Sequence, residues 1–497
     1  MMARPGCFVI TGLVMVGSVM SGSGPLAGPL HAQRTALDRY VATGLEQSLT
    51  LLDHGLAIEQ AEARWAAARR AYLPSLQFDA RYSRAAGGRS FEIPTGDLMN
   101  PVYGALNDIL REQGQPGSFP TINNQQIDFL RGREQETRLR LTQVVFNPEI
   151  RANISSERHG AAARRAGLDA ARGQLIRDIK VAYYTLARAT RAVGILDAAV
   201  DLVAENERST TALWQTSLIT RDQVHRTRAE RLEVEQQREQ ARVDRTLAAS
   251  YLNYLLHRPA DTPIEVDPLD LEIPAGLEAT WLRSATDDRN AREASFVSSL
   301  VAVAIESRAE LREFESATKA ADAGADAVRG STLPSLAISV DAGIQGEGYS
   351  LGSDDRFAMA SLVLSWRVTN GGAESARVRG ARLAAQRIRS QRENATNRIR
   401  LEVETAARRA LLAIDGLTSA RERVQEAESA FRLVDRRRGE GLATGLEFLD
   451  ARAALTRAQL SEGITEGEVL IRLAELDYAA GSPAFPVLAS RTMEDNR

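Results

Sequence analysis

Glu447 and Asp450 are the pair of carboxylates whose spacing could do chemistry. An i, i+3 separation puts both on one face of a helix. Paired carboxylates can hydrolyse a glycosidic bond, but neighbouring turns of one exposed helix form no sugar cleft. Near a helix N-terminus the same residues are also favoured as ordinary solvated charges, because the dipole there is positive. The five histidines, His31, His54, His159, His225 and His257, form no ligand-spaced cluster. Neither a zinc site nor a catalytic histidine is expected from that spacing. No glycine-rich phosphate loop follows a strand, and no Gly-x-Ser-x-Gly elbow occurs. The residues therefore predict no enzyme, no cofactor and no metal.

Composition narrows the partners. Charged residues are 26% of 497, and the formal net charge is −3, which gives a nucleic acid nothing to bind. Aromatics are only 5%, a balance suited to long exposed helices rather than a thick core. Residues 1–32 read as a secretory signal: Arg4, the apolar run CFVITGLVMVGSVM at 7–20, then a small-residue stretch ending at Ala32, with Ala27 as another cleavage position. The single cysteine, Cys7, precedes the apolar run, so neither N-terminal acylation nor a disulfide is expected. No later segment approaches about 20 apolar residues, so a membrane span would have to use strands.

Those strands and helices are laid out twice. YLPSLQFDARYS at 72–83 matches TLPSLAISVDAG at 332–343, and SLITRDQV at 217–224 matches GLATGLEF at 441–448. Between the landmarks, small and apolar residues recur at alternating steps of three and four. They run from Leu168 through Ile179, Leu186, Val193 and Val200 to Val203, and from Ile399 through Val403, Ala410, Leu417 and Val424 to Val434. This 3.5-residue period marks coiled-coil-like packing. A shift of 224 carries Ile179 onto Val403 and Ser217 onto Gly441, so the two copies share phase. A helix about 100 Å long is predicted over 148–216 with a return over 220–257, and the second copy repeats this with a long helix over 373–440 and a return over 446–480. The proline-rich segment 259–294 reads as a linker between a first repeat, 33–258, and a second, 295–482, with a tail at 483–497.

Strands of period two are predicted over about 74–85, 136–146, 334–343 and 357–369. Leu76, Phe78, Ala80 and Tyr82 share one face, with Gln77, Asp79, Arg81 and Ser83 on the other. The same alternation places Leu362, Leu364, Trp366 and Val368 together. An apolar face opposite a charged face suits a barrel with a wet lumen or an ordinary half-solvated sheet. Four strands cannot close a barrel wide enough for solutes. Residues 86–131 and 343–355 read as loops at one end.

The ordered set LTQVVFNP, LSWRVTNGG, SLITRDQV, GLATGLEFLDARAAL, YLNYLLHRP and LAELDYAAG, with the two Leu-Pro-Ser-Leu strand starts, resembles the TolC family of outer-membrane factors over about residues 36–482. The resemblance implies a mainly α fold with a β-barrel part. Each of two tandem repeats would supply one long antiparallel helical hairpin and two transmembrane strands. It implies a homotrimer forming an α-barrel/β-barrel tunnel in outer-membrane lipid, its helical part in the periplasm. The function implied is a passive exit duct of a tripartite efflux or type I secretion system, joined through a periplasmic adaptor (membrane fusion) protein to an inner-membrane pump of RND, ABC or MFS type. In that family two acidic residues ring the closed periplasmic tip, and Glu447 and Asp450 occupy those positions here. Gln223 and Arg226 stand at the equivalent places of the first copy. The helical turns, Ser217, Leu218 and Thr220 in one copy and Gly441, Leu442 and Thr444 in the other, are the implied adaptor contacts. A periplasmic coiled-coil adaptor or scaffold without a pore is the competing reading, but it would carry one hairpin rather than two.

Overall fold

The computed structural model describes residues 35–482, except 131, 274–288, 349–351, 353–354 and 369. The expected signal segment and the tail at 483–497 lie outside the described residues, as does part of the linker.

Two very long helices dominate. α4 spans Pro148–Gln215, and α8 spans Ala373–Gly439. At the start of α4 the Asn147 side chain accepts from the Glu149 and Ile150 N–H groups, and Pro148 occupies a first-turn position where no N–H is needed. Each long helix is followed by a shorter return, α5 (Arg221–Leu255) and α9 (Gly445–Ala480). Two kinked pairs precede the strands: α1 (Ala36–Gln47) with α2 (Leu49–Arg70), and α6 (Arg289–Ser307) with α7 (Ala309–Gly330). The 3.5-residue seams are buried over their middle stretches, while Leu168 at one end and Val424, Phe431 and Val434 at the other are half-buried. Ile179, Leu186, Val193, Leu196 and Val203 are inside, as are Ile399, Val403, Ala410 and Leu417.

Helix packing follows one lateral order. Beside the strands, α4 packs between α2 and α7, and α7 packs against α8. Further away, α4 packs between α5 and α9, and α9 packs against α8. The repeats therefore meet at α4. Glycines allow the approach: a Cβ on Gly467 would lie 2.8 Å from Arg188 Cβ. Arg191 of α4 bridges Glu462 and Glu466 of α9 across the same seam. Arg308, buried between α6 and α7, donates to the Tyr478 and Ala479 carbonyls at 3.1 Å each. Its guanidinium thereby caps the C-terminus of α9. The acidic linker is pinned as well. The Tyr183 hydroxyl donates to Asp270 and accepts from the Asp267 N–H, both at 2.8 Å.

The strands form one antiparallel sheet in the order β1-β4-β5-β6, with β1 at Ser75–Arg84, β4 at Arg133–Phe146, β5 at Ser335–Gly346 and β6 at Arg356–Ser365. Register keeps the faces apart. Leu76, Leu141, Val340 and Ala360 form one cross-strand row, and Gln77, Arg140, Asp341 and Met359 the next. The charged face pairs internally, Arg140 with Asp341 at 2.6 Å, Arg138 with Glu136 at 3.1 Å and Arg81 with Glu136 at 3.0 Å. The opposite face leaves Leu76, Phe78, Leu362 and Leu364 more than 60% exposed. β6 is shorter than expected, so Trp366 and Val368 fall beyond it.

Residues 86–131 are not a plain loop, as the sequence suggested. They hold β2 (Ser90–Ile93), α3 (Thr95–Glu112) and β3 (Gln125–Asp128), with β2 and β3 paired. The asparagines that looked loop-like are clamps. Asn100 exchanges two hydrogen bonds with the Ile122 backbone, both 2.8 Å, and Asn107 does the same with Phe119 at 2.8 and 3.1 Å. Side-chain amides here replace ladder bonds that the return segment lacks. No helix among the described residues is long and apolar enough to cross a membrane.

Candidate gate at the helical tips

The two hairpin turns are built alike, in the register the sequence shift implies. Ser217 and Gly441 both take the left-handed conformation, at φ of 60° and 71°. Ser217 N–H donates to Trp214 O at 2.8 Å, and Gly441 N–H to Arg438 O at 2.9 Å. Leu218 and Leu442 repeat the next bond, to Leu213 O and Arg437 O. The first turn thus keeps the glycine geometry with a serine, at some steric cost. Leu218 and Leu442 are 71% and 64% exposed, and Thr220 and Thr444 are N-caps on the surface.

Glu447 has a specific local partner. Its carboxylate accepts from the Thr444 N–H at 2.7 Å and from the Thr444 hydroxyl at 2.9 Å, while the Thr444 hydroxyl oxygen accepts from the Glu447 N–H at 3.2 Å. This is a reciprocal capping box. The Thr444 N–H beside it holds the Glu447 carboxyl below its usual range. In the first copy Gln223 stands at the matching position, and Thr220 makes no side-chain capping bond to the backbone.

Asp450 is exposed one turn on, and its charge reaches the other repeat. Glu230 of α5 is pushed up by burial first, then by the negative charges of Glu233 and Asp450, against an opposing Arg457. A carboxyl of the first copy, Glu230, thus feels the charge of Asp450 in the second.

A second constellation joins the hairpins. Arg438 of α8 donates to the Asn206 side chain of α4 at 2.6 Å. Its guanidinium also lies 4.1 Å from the ring centre of Phe448. Phe448 meets Phe431 with centroids 5.5 Å apart, and Arg452 lies 5.6 Å over Phe431. Burial lowers both arginines from their ordinary range. Sequence reasoning missed this set. A signal was present, because Asn206 continues the seam three residues after Val203, and a polar residue at a seam position specifies a partner. Among the described residues no group of three or more His, Cys, Asp or Glu could hold a metal.

Residues 300–482 match the family described as Outer membrane efflux protein. Protein CyaE of Bordetella pertussis is 31% identical over 194 residues, which cover 37% of this chain and 41% of that protein. The chain thus spans less than half the length of this relative. Among solved structures, the outer-membrane channel OprN superposes with a TM-score of 0.70 at 17% identity, covering 90% of both chains. VceC of Vibrio cholerae gives 0.70 at 17%, covering 90% of this chain and 97% of that one. The CmeC channel of Campylobacter jejuni gives 0.68 at 14%, covering 93% and 89%.

Proposed function

We propose that this chain, which has the fold of outer-membrane channels and a second repeat that matches the outer membrane efflux protein family, is one third of a passive exit duct through the outer membrane. One observation carries the closure of several copies into a ring, and the number three follows the family resemblance. The strand sheet and the helix layer are both left open, at the same two sides. β1, α2 and α5 form one edge, and β6 and α8 form the other. Exposed apolar side chains line these edge helices: Val243, Leu247, Tyr251 and Tyr254 on α5, Leu383, Leu401 and Leu412 on α8. Unpaired strand edges and apolar helix faces of this extent demand a partner. A second copy presents the complementary edge, a head-to-tail contact that closes into a ring. Three copies contribute twelve strands, an even number with every neighbour antiparallel.

The helical tips are then the periplasmic end, with Leu218, Thr220, Leu442 and Thr444 presented to an adaptor linked to an inner-membrane pump. Asp450, with Glu447 and Glu230 beside it, makes the constriction cation-attracting. The Arg438–Asn206 bond holds the hairpins together in this conformation. The chain supplies a path for cargo that the pump delivers. The test is recovery from the outer-membrane fraction followed by planar-bilayer recording. Discrete cation-selective conductance supports the reading, and a soluble, non-conducting monomer refutes it.

A further inference from the structure

α3 has two opposite faces with different fates. Gly96, Asn100, Tyr103 and Asn107 face the return segment. A Cβ on Gly96 would lie 2.4 Å from Ile122 O, and Tyr103 meets Phe119 at 5.2 Å between ring centres. Leu98, Val102, Leu106 and Ile109 lie on the other face, at helical spacing, and are 67, 51, 37 and 50% exposed. A stripe of this kind on a folded helix is a contact surface without its contact.

We propose that the α3 stripe is the surface on which three copies of this chain meet over the outer end of the barrel, forming a helical cap. This rests on the trimeric channel reading above. Three observations select a second copy as the occupant. The insert grows from the β1–β4 connection, at the end of the sheet away from the long helices, so a trimer carries three of them around one mouth. The reach is right. Twelve strands about 4.8 Å apart, tilted about 40°, enclose a ring roughly 24 Å across, and 18 residues of α3 extend about 27 Å. The charge is wrong for the alternative of lying on the membrane. Asp97, Asp108 and Glu112 outnumber Arg111, which is already paired with Asp108 at 2.9 Å, so the helix is repelled by the anionic sugar phosphates of an outer leaflet. Copies held by the barrel seam need little further affinity, because the effective concentration is high.

The test uses the full chain with Cys7→Ala and Val102→Cys, oxidised in the membrane. Interchain disulfides are expected, levelling off at about two-thirds of chains because only two of every three can pair. Single-channel conductance should fall several-fold on oxidation and recover with reductant. Ile109→Cys repeats the test at a second exposed position. A chain with the detergent-solubilised mass of a trimer but no disulfide at either position overturns the cap and leaves the channel standing. So does a polarity-sensitive label at Cys-substituted position 102 that reports lipid. A monomeric mass overturns the channel reading and the cap together. Disulfides without any change in conductance also overturn it.

Discussion

Replacing Arg438 with alanine should loosen the helical tip more than any other single change near it. The side chain makes a charged hydrogen bond to Asn206 at 2.6 Å and stacks on Phe448 at 4.1 Å. A hydrogen bond to a charged group contributes about 1.5–3 kcal/mol, and a cation–π contact about 1 kcal/mol. Burial of the guanidinium opposes both, as its lowered proton affinity shows, and truncation returns that cost. Asn206, itself buried, also loses its partner. The balance is about 2 kcal/mol, or roughly a 30-fold shift toward separated hairpins. Planar-bilayer recording reads this as a rise in open probability of that order. Arg437→Ala is the control, because Arg437 is exposed, donates to the Leu442 carbonyl at 3.2 Å and acts on Glu447 through its charge, with no contact to the Asn206–Phe448 set. An Arg438→Ala channel whose open probability equals that of wild type and of Arg437→Ala would refute the reasoning. A double-mutant cycle with Asn206→Ala should show coupling, since the two residues share one bond.

Other perturbations separate neighbouring roles. Thr444→Val removes the cap while leaving the charge, and should cost about 1 kcal/mol locally, read as faster amide exchange over 442–450. Glu447→Gln retains a capping-box residue, so exchange there should stay near wild type while cation selectivity falls. Glu230 binds its proton more tightly in the folded tip than in an unfolded chain. Its contribution is therefore fully present below the ordinary glutamate range and is lost as pH rises through the raised value. Tip stability followed by exchange against pH should show that loss; Glu230→Gln should abolish it, and Asp450→Asn should only reduce it, since burial is the larger cause. Gly330→Ala places a Cβ 2.7 Å from the Glu149 backbone nitrogen. No rotamer relieves a clash with backbone, so about 1–3 kcal/mol of destabilisation is expected. It should be visible as a lower dissociation temperature of the oligomer in detergent. Gly160→Ala, in open space within α4, should be neutral or slightly stabilising.

The helices and strands were legible because their periods are long and repeated. Eleven seam positions in each copy, from Leu168 and from Ile399, set the helices, and burial of Ile179, Leu186, Val403 and Leu417 follows from that phase. Leu-Pro-Ser-Leu set the starts of β1 and β5, because proline cannot continue the preceding helix. The α3 insert was less legible. Pro101, Gly104 and four asparagines over 100–124 argue locally for a loop, and only side-chain clamps between residues 12 to 22 apart make them a folded unit. The acidic pair after the second turn was found from its resemblance to a family, but its partners were not. Glu230 stands 220 residues from Asp450 and Asn206 stands 232 from Arg438, and no local pattern reports that distance. The capping role of Glu447 was open to view as Thr-x-x-Glu before an apolar run.

Ring closure sets β6 of one copy beside β1 of the next. Within one chain these edges are separated by β4 and β5, roughly 14 Å at about 4.8 Å per strand, which no disulfide can bridge. Gln77→Cys on β1 is to be combined in turn with Met359→Cys, Ser361→Cys and Val363→Cys on β6, all on the same face of the sheet, in a Cys7→Ala chain. At one of these registers, oxidation in the membrane should give a covalent ladder that ends at three chains. No interchain bond at any register, or a ladder that continues past three, would contradict the closed trimeric barrel.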